Sequence, residues 1–231
     1  MIPDEILQKA RCEIKFVTNV GMYNRLKQWI LLHDMMFRKA YPSRVVNNIY
    51  FDNHALESYW ENLTGKSSRT KFRLRWYGSN MNTKDTVLEL KIKRNKLGWK
   101  SQENIRLNKN ICDLNFNDII NELKSNASPE LKQRFHLSDA PVLINSYERD
   151  YFVSCDNKIR ITLDRNIYFY DQRFYSYANK KYRGASPEIV ILEFKFAADD
   201  LHLAEKAMEN LEVSPSKVSK YVMGVQSVLG I

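Results

Sequence analysis

Lys71-Phe72-Arg73-Leu74-Arg75-Trp76-Tyr77 and Leu88-Glu89-Leu90-Lys91-Ile92-Lys93 decide the fold. Both stretches alternate strictly between apolar and charged side chains, the period of two that marks a β-strand. Gly78 to Asp85 fits between them as a hairpin loop. In an ordinary half-buried strand the charged face simply meets water. A single strand of this kind would carry no more than that, but the pattern recurs. Ile159, Ile161 and Leu163 alternate with Lys158, Arg160, Thr162 and Asp164, and Leu192, Phe194 and Phe196 alternate with Glu193 and Lys195. Tyr147 and Arg149 share a face of another strand, and Arg11-Cys12-Glu13-Ile14-Lys15-Phe16 carries its charges at odd positions.

If helices cover the apolar faces, the ionic faces must point inward. A closed antiparallel barrel of about eight strands leaves an interior wide enough for side chains and one small ligand. Cations crowded there repel one another, and unpaired charge in a confined space is costly, so the ligand expected is strongly negative. Glu13, Glu89 and Glu193 offset only part of the positive charge. Their carboxylates serve equally well as salt-bridge partners or as oxygen ligands for Mg²⁺ or Mn²⁺, which complete their shell with phosphate and water.

Working outward, the sequence predicts a helix over Met22 to Lys39 ended by Tyr41-Pro42-Ser43, a strand over Arg44 to Phe51 and a brief helix over Ala55 to Asn62. A strand over Trp99 to Leu107 precedes a helical insertion at 113–136, where Phe116, Ile119, Ile120 and Leu123 fall at helical spacing. Ser146 to Val153, Lys158 to Leu163, Arg165 to Tyr170 and Glu188 to Phe196 are further strands separated by Asp- and Asn-rich turns. Two helices close the chain, over Leu201 to Leu211 and Pro215 to Leu229, the second with Ser214 as its N-cap. The fold class expected is therefore α+β, one domain over 1–231.

Composition agrees. Among 231 residues, 36 Lys+Arg against 27 Asp+Glu give a formal charge of +9, which favours polyanionic partners. Hydrophobic residues make up 44%, ample for a core, so disorder is excluded. Cys12, Cys112 and Cys155 are odd in number and lack C-x-x-C spacing, which argues against a disulfide framework or a zinc site. No apolar run approaches the roughly 18 residues of a membrane span, and the N-terminal stretch lacks a signal-peptide core. A cytoplasmic protein is expected.

Six segments in order resemble the polyphosphate-polymerase domain of the vacuolar transporter chaperone (VTC) family, within the triphosphate tunnel metalloenzymes, also called CYTH-like. They are Glu13-x-Lys15, Ile49-Tyr50-Phe51-Asp52, Lys71 to Tyr77, Leu88 to Lys91, Leu192 to Lys195 and Ser216 to Tyr221. The resemblance implies an enzyme that moves the γ-phosphoryl group of ATP onto a polyphosphate chain, using Mn²⁺ or Mg²⁺. It implies that Lys15, Arg73, Arg75, Lys91, Arg149, Arg160 and Lys195 hold phosphates with Tyr147 assisting, and that Glu193 is the metal ligand. It also implies phosphate contacts from Lys217, Ser219 and Lys220 near the start of the last helix, where N–H groups favour anions. Lys100 ranks below these, because the register of its strand is not fixed by the sequence.

The chain departs from triphosphate-cleaving relatives, which carry Glu-x-Glu-x-Lys on the first strand where this one has Arg11-Cys12-Glu13-Ile14-Lys15. Arg73, Arg75, Lys91, Arg149, Arg160 and Glu193 are the expected catalytic set, the arginines gripping two phosphate oxygens each. No protein nucleophile is needed, and His33, His54, His136 and His202 form no Ser-His or Cys-His pattern. The rival expectations are a tripolyphosphatase or nucleoside triphosphatase in the same tunnel, and a non-catalytic module binding polyphosphate or inositol phosphates. Nucleic acid is not expected, because Phe72, Trp76, Phe194 and Phe196 lie on the face opposite the cations and cannot interleave with them as stacking platforms.

Overall fold

A computed structural model describes residues 11–230 apart from Lys96, so the N-terminal stretch expected to lack a signal-peptide core lies mostly outside the described residues. Eight antiparallel strands close into a barrel in the order β1-β5-β4-β3-β2-β6-β7-β8. They are β1 (Arg11–Asn19), β2 (Arg38–Asp52), β3 (Ser68–Tyr77), β4 (Asp85–Arg94), β5 (Leu97–Arg106), β6 (Ala140–Val153), β7 (Arg160–Asp171) and β8 (Ile189–Ala197). Six helices accompany them among the described residues: α1 (Tyr23–Leu31), α2 (Glu57–Leu63), α3 (Phe116–Asn126), α4 (Pro129–Phe135), α5 (Leu201–Met208) and α6 (Lys220–Leu229).

The alternation of β3 and β4 is satisfied as expected. Phe72, Leu74, Trp76, Leu88, Leu90 and Ile92 form one outer core with Ile119 and Leu123 of α3 and Leu131 and Phe135 of α4. The helical insertion thus exists to bury the apolar face of these strands, which turns Arg73, Arg75, Glu89 and Lys91 inward. On the opposite wall, Leu26 and Ile30 of α1 and Ala204 and Ala207 of α5 cover Ile161, Leu163, Leu192, Phe194 and Phe196. A third cluster brings Tyr221 and Val225 of α6 against Tyr50, Leu143, Phe169 and Ile191. Gly224 permits that seat, because a Cβ there would collide with Leu143 and Phe169.

Several local expectations need correction. The helix expected to reach Lys39 stops at Leu31, and Arg38 already belongs to β2. Met36 takes a left-handed turn (φ 49°), so Met35, Met36 and Phe37 continue the apolar spacing without continuing the helix. Pro42 sits inside β2 instead of ending a helix, accommodated by register shifts between Lys39 and Tyr41 and between Tyr41 and Arg44. The two strands expected on either side of Asp164 are one strand, β7, with Asn166 at φ 50° and a register shift opposite Ser146 and Glu148. The polar Asp-Arg-Asn triplet is a bulge, not a turn.

The last helix begins at Lys220 with Ser219 as its N-cap, accepting from the Val222 N–H, and not at Pro215 with Ser214. Among the described residues β1 pairs with β5 at Arg11 and Gly98 alone. Beyond that point its edge is taken by the segment before α6: Pro215 bridges Phe16, and the Ser216 N–H donates to the Lys15 carbonyl at 2.7 Å. An exposed strand edge is thereby covered. The same pairing carries Ser219 and Lys220 to the cavity wall.

Candidate active site

The barrel encloses a cavity of about 910 Å³. Lys15, Arg73, Arg75, Lys91, Lys100, Tyr147, Arg149, Arg160, Glu193, Lys195, Ser219 and Lys220 all line it, as do Glu13 and Glu89. Lys217 does not line it; it is exposed on the segment leading to α6. A shallower groove of about 440 Å³ outside β1, lined by Ile14, Phe16, Met208 and Leu211, has Glu205 and Glu212 as its charged side chains, which repel a phosphate.

Antiparallel register sets the ion pairs. Arg73 stands directly opposite Glu89 on β4, and Glu89 accepts from Arg73 Nε at 2.7 Å and from Arg75 Nη1 at 3.2 Å. Burial raises the Glu89 carboxyl, but the two guanidiniums outweigh it and hold it at about 2. Across the cavity, Asp164 is fully buried and accepts Arg149 Nε at 2.5 Å, Arg149 Nη2 at 2.7 Å and Lys220 Nζ at 2.5 Å. Its carboxyl is pushed up by burial and pulled down further by Arg149 and Lys220, so it stays ionised.

Glu193 lies between Lys195 Nζ at 3.1 Å and Lys15 Nζ at 3.5 Å, with Arg149 at 3.9 Å. Glu13 accepts from Lys91 at 2.8 Å and approaches Lys15 at 3.8 Å. Burial and Glu193 raise the Glu13 carboxyl, while Lys91, Lys15 and Lys195 lower it and prevail. Burial and Glu13 act oppositely on Lys91, burial prevailing and leaving it at about 8. Tyr147 is raised by burial but lowered more by Arg149 and Arg75, to about 8. The Arg149 guanidinium stands 5.1 Å from the Tyr147 ring centre.

Glu13 and Glu193 therefore converge on one ammonium, that of Lys15. Among the described residues no third His, Cys, Asp or Glu joins them as a metal-binding group. Such a pair fits a hard divalent ion that takes its other ligands from phosphate and water, and does not fit an all-protein cage. Glu89 is less suited, since two guanidiniums already occupy its oxygens.

The expected set left out several interior groups, Arg11 on the cavity wall among them. Lys71 lines the cavity two residues before Arg73, and Asp164 ends the alternation that supplied Arg160. Both lay on the inward face by simple parity.

An eight-stranded antiparallel barrel closed around Arg, Lys and Glu is the architecture of the CYTH-like, or triphosphate tunnel, proteins. Residues 10–229 match the VTC domain, and the chain belongs to that family. Among solved structures, a candidate adenylate cyclase from Vibrio parahaemolyticus is similar with TM-score 0.51 at 12% identity, covering 93% of this chain and 98% of that one. A protein from Pyrococcus horikoshii OT3 gives TM-score 0.48 at 11% identity, covering 92% and 97%. The first of these likenesses speaks to the fold alone. No curated protein matches the sequence. Membership in the VTC family supports a function on polyphosphate or triphosphate compounds. Among the described residues no helix is long and apolar enough to cross a membrane.

Proposed function

We propose that the chain is a metal-dependent polyphosphate polymerase that transfers the γ-phosphoryl group of ATP onto a polyphosphate chain held in the barrel. The observation that carries this reading is the convergence of Arg73, Arg75, Lys91, Arg149 and Glu193 on one cavity that no His or Cys side chain lines. Phosphoryl transfer asks for an attacking oxygen held in line and neutralisation of charge on the transferred group. A terminal phosphate oxygen of the acceptor attacks the γ-phosphorus, the bond to the β–γ bridging oxygen breaks, and ADP leaves with the electron pair. Arg73, Arg75 and Arg149 grip phosphate oxygens through their planar forks, and Lys15, Lys91 and Lys195 act as point charges. Mn²⁺ or Mg²⁺ bound by Glu193, with Glu13 beside it, would supply Lewis-acid neutralisation of the transferring phosphate.

Arg11 favours transfer to phosphate over transfer to water. It lines the cavity, and its pKa is lowered by burial and then by Arg160, a second cation close by. An anionic acceptor is welcome there. Incubation with ATP and Mn²⁺, followed by assay of long polyphosphate and of free phosphate, tests the reading. Accumulating polyphosphate supports it; free phosphate alone would show a hydrolase, and neither product would leave a binding module.

A further inference from the structure

Two of the segments that the sequence set apart, Ile49 to Asp52 at the end of β2 and Ser216 to Tyr221 at the start of α6, meet outside the cavity. Asp52 is fully buried, and the Tyr221 hydroxyl donates to its Oδ2 at 2.6 Å. Backbone N–H groups take the rest of the carboxylate: Asn53 at 2.9 Å and Ser58 at 3.0 Å on Oδ1, and Tyr59 at 3.0 Å on Oδ2. Leu56, the residue before α2, sits at φ 56° and makes no side-chain cap, so Asp52, with Asn53 beside it, supplies from the strand the acceptors that the first turn needs. These donors satisfy a carboxylate that burial would otherwise penalise.

Three of the donors are local to Asp52; the fourth comes from the other end of the chain. Tyr221 directly follows Lys220, whose ammonium lines the cavity and reaches Asp164 at 2.5 Å. Burial, then the Asp52 charge, drives the Tyr221 hydroxyl far above its ordinary range, so it stays a donor. Its ring is stacked on Tyr50, centroids 5.0 Å apart and planes at 29°, and Tyr50 lines the cavity in register with Arg73. Neither Asp52 nor Tyr221 lines the cavity itself. The apolar packing of Tyr221 and Val225 holds α6 on the barrel, but such packing is non-directional, whereas the hydroxyl bond has a direction and sets the rotation of the first turn. On a helix whose side chains reach about 6 Å from the axis, a rotation of about 10° moves a charged tip by about 1 Å. Displacement on that scale is enough to spoil a contact with a reacting group.

We infer that Asp52 and Tyr221 are positioning residues: their buried hydrogen bond sets the seat of the first turn of α6 and thereby aims Lys220 at phosphate, without either residue touching the ligand. The inference rests on the reading of the cavity as a phosphate site and adds the device that orients one wall of it.

Metal-free titration with tripolyphosphate of the wild type, Tyr221→Phe, Lys220→Met and the double variant tests this, with thermal melting to show that each is folded. Tyr221→Phe keeps the ring on Tyr50 and removes only the hydroxyl; it should weaken tripolyphosphate by about three- to tenfold. Lys220→Met should weaken it at least as much. In the Lys220→Met background the loss of the hydroxyl should cost less than about twofold, because the lysine it positions is gone. A residue that only stabilises the fold would cost the same in both backgrounds, and such additivity overturns the inference. So does a Tyr221→Phe protein that binds as tightly as the wild type. Asp52→Asn should match the loss in Tyr221→Phe and add less than about twofold to it; where Asp52→Asn does not fold, the cycle between Tyr221 and Lys220 decides. A wild type that fails to bind tripolyphosphate takes down the phosphate reading and the positioning role together. Binding with the expected coupling but no polyphosphate made from ATP would instead refute the polymerase and uphold the positioning role.

Discussion

Arg149 and Asp164 face each other across β6 and β7 as a closed fork, both guanidinium contacts at 2.5 and 2.7 Å, with Lys220 of α6 on the same carboxylate. The arginine expected to clamp phosphate is thus already held by a buried anion, and α6 is tied to the barrel by the same group. Asp164→Asn leaves two buried cations without their charge partner, which typically costs about 3–5 kcal/mol. Urea unfolding should show a loss of that order. Tripolyphosphate should then stabilise the variant more than the wild type, because Arg149 and Lys220 are released toward the ligand. The sign with pH follows from the lowered pKa of Asp164: its stabilisation is present above the ordinary carboxylate range and lost as pH falls below it. The variant should lack that part of the acid limb. Equal urea midpoints for both proteins would show that Asp164 does not hold these cations.

Lys91 and Tyr147 both have pKa values of about 8, and as pH rises the first loses a positive charge and the second gains a negative one, so the cavity becomes less positive. Affinity for polyphosphate should therefore fall between pH 7 and 9. The stability of the empty protein should move the other way. Both folded pKa values lie below the ordinary ones, so deprotonation is easier in the folded state and stability rises with pH from about 8 toward 10. Tyr147→Phe removes one of the two titrations and should make the fall in affinity shallower by up to one log unit per pH unit. Calorimetric titration across this range in wild type and variant gives the comparison. Identical slopes would remove Tyr147 from the ligand's surroundings.

The barrel was legible because alternation is a property of single strands: Phe72-Arg73-Leu74-Arg75 carries its own inside and outside wherever it is placed. Helix ends were not. The left-handed Met36 has no signature in a run of Met and Phe, and Ser219 caps α6 instead of Ser214 only because the Pro215 segment is drawn out to pair with β1. Within the site, parity sorted the cations onto the inner face but could not say which acid met which base. That depends on register between strands far apart in sequence, such as Arg149 opposite Asp164 or Glu13 reaching Lys91. Lys71 shared the parity of Arg73, yet its lack of an acid partner emerges only when Lys91 is found taken by Glu13.

Two buried glutamates separate the metal role from the pairing role. Glu193 meets the single ammoniums of Lys195 at 3.1 Å and Lys15 at 3.5 Å, which an incoming cation can replace, whereas Glu89 is held by the guanidiniums of both Arg73 and Arg75. Glu193→Gln should abolish Mn²⁺-dependent turnover while metal-free polyphosphate affinity stays within about threefold, since the Arg and Lys side chains remain. Glu89→Gln should keep its response to Mn²⁺ and lose stability instead. Its folded pKa of about 2 against an ordinary 4.5 corresponds to about 3 kcal/mol near neutral pH, present above the ordinary value and lost as pH falls through about 2. Mn²⁺ titration of activity, paired with acid unfolding of both variants, distinguishes the two. Full activity in Glu193→Gln would sink the metal assignment, and a Glu89→Gln protein as stable as the wild type would show that the Arg73 and Arg75 pairs contribute nothing to the fold.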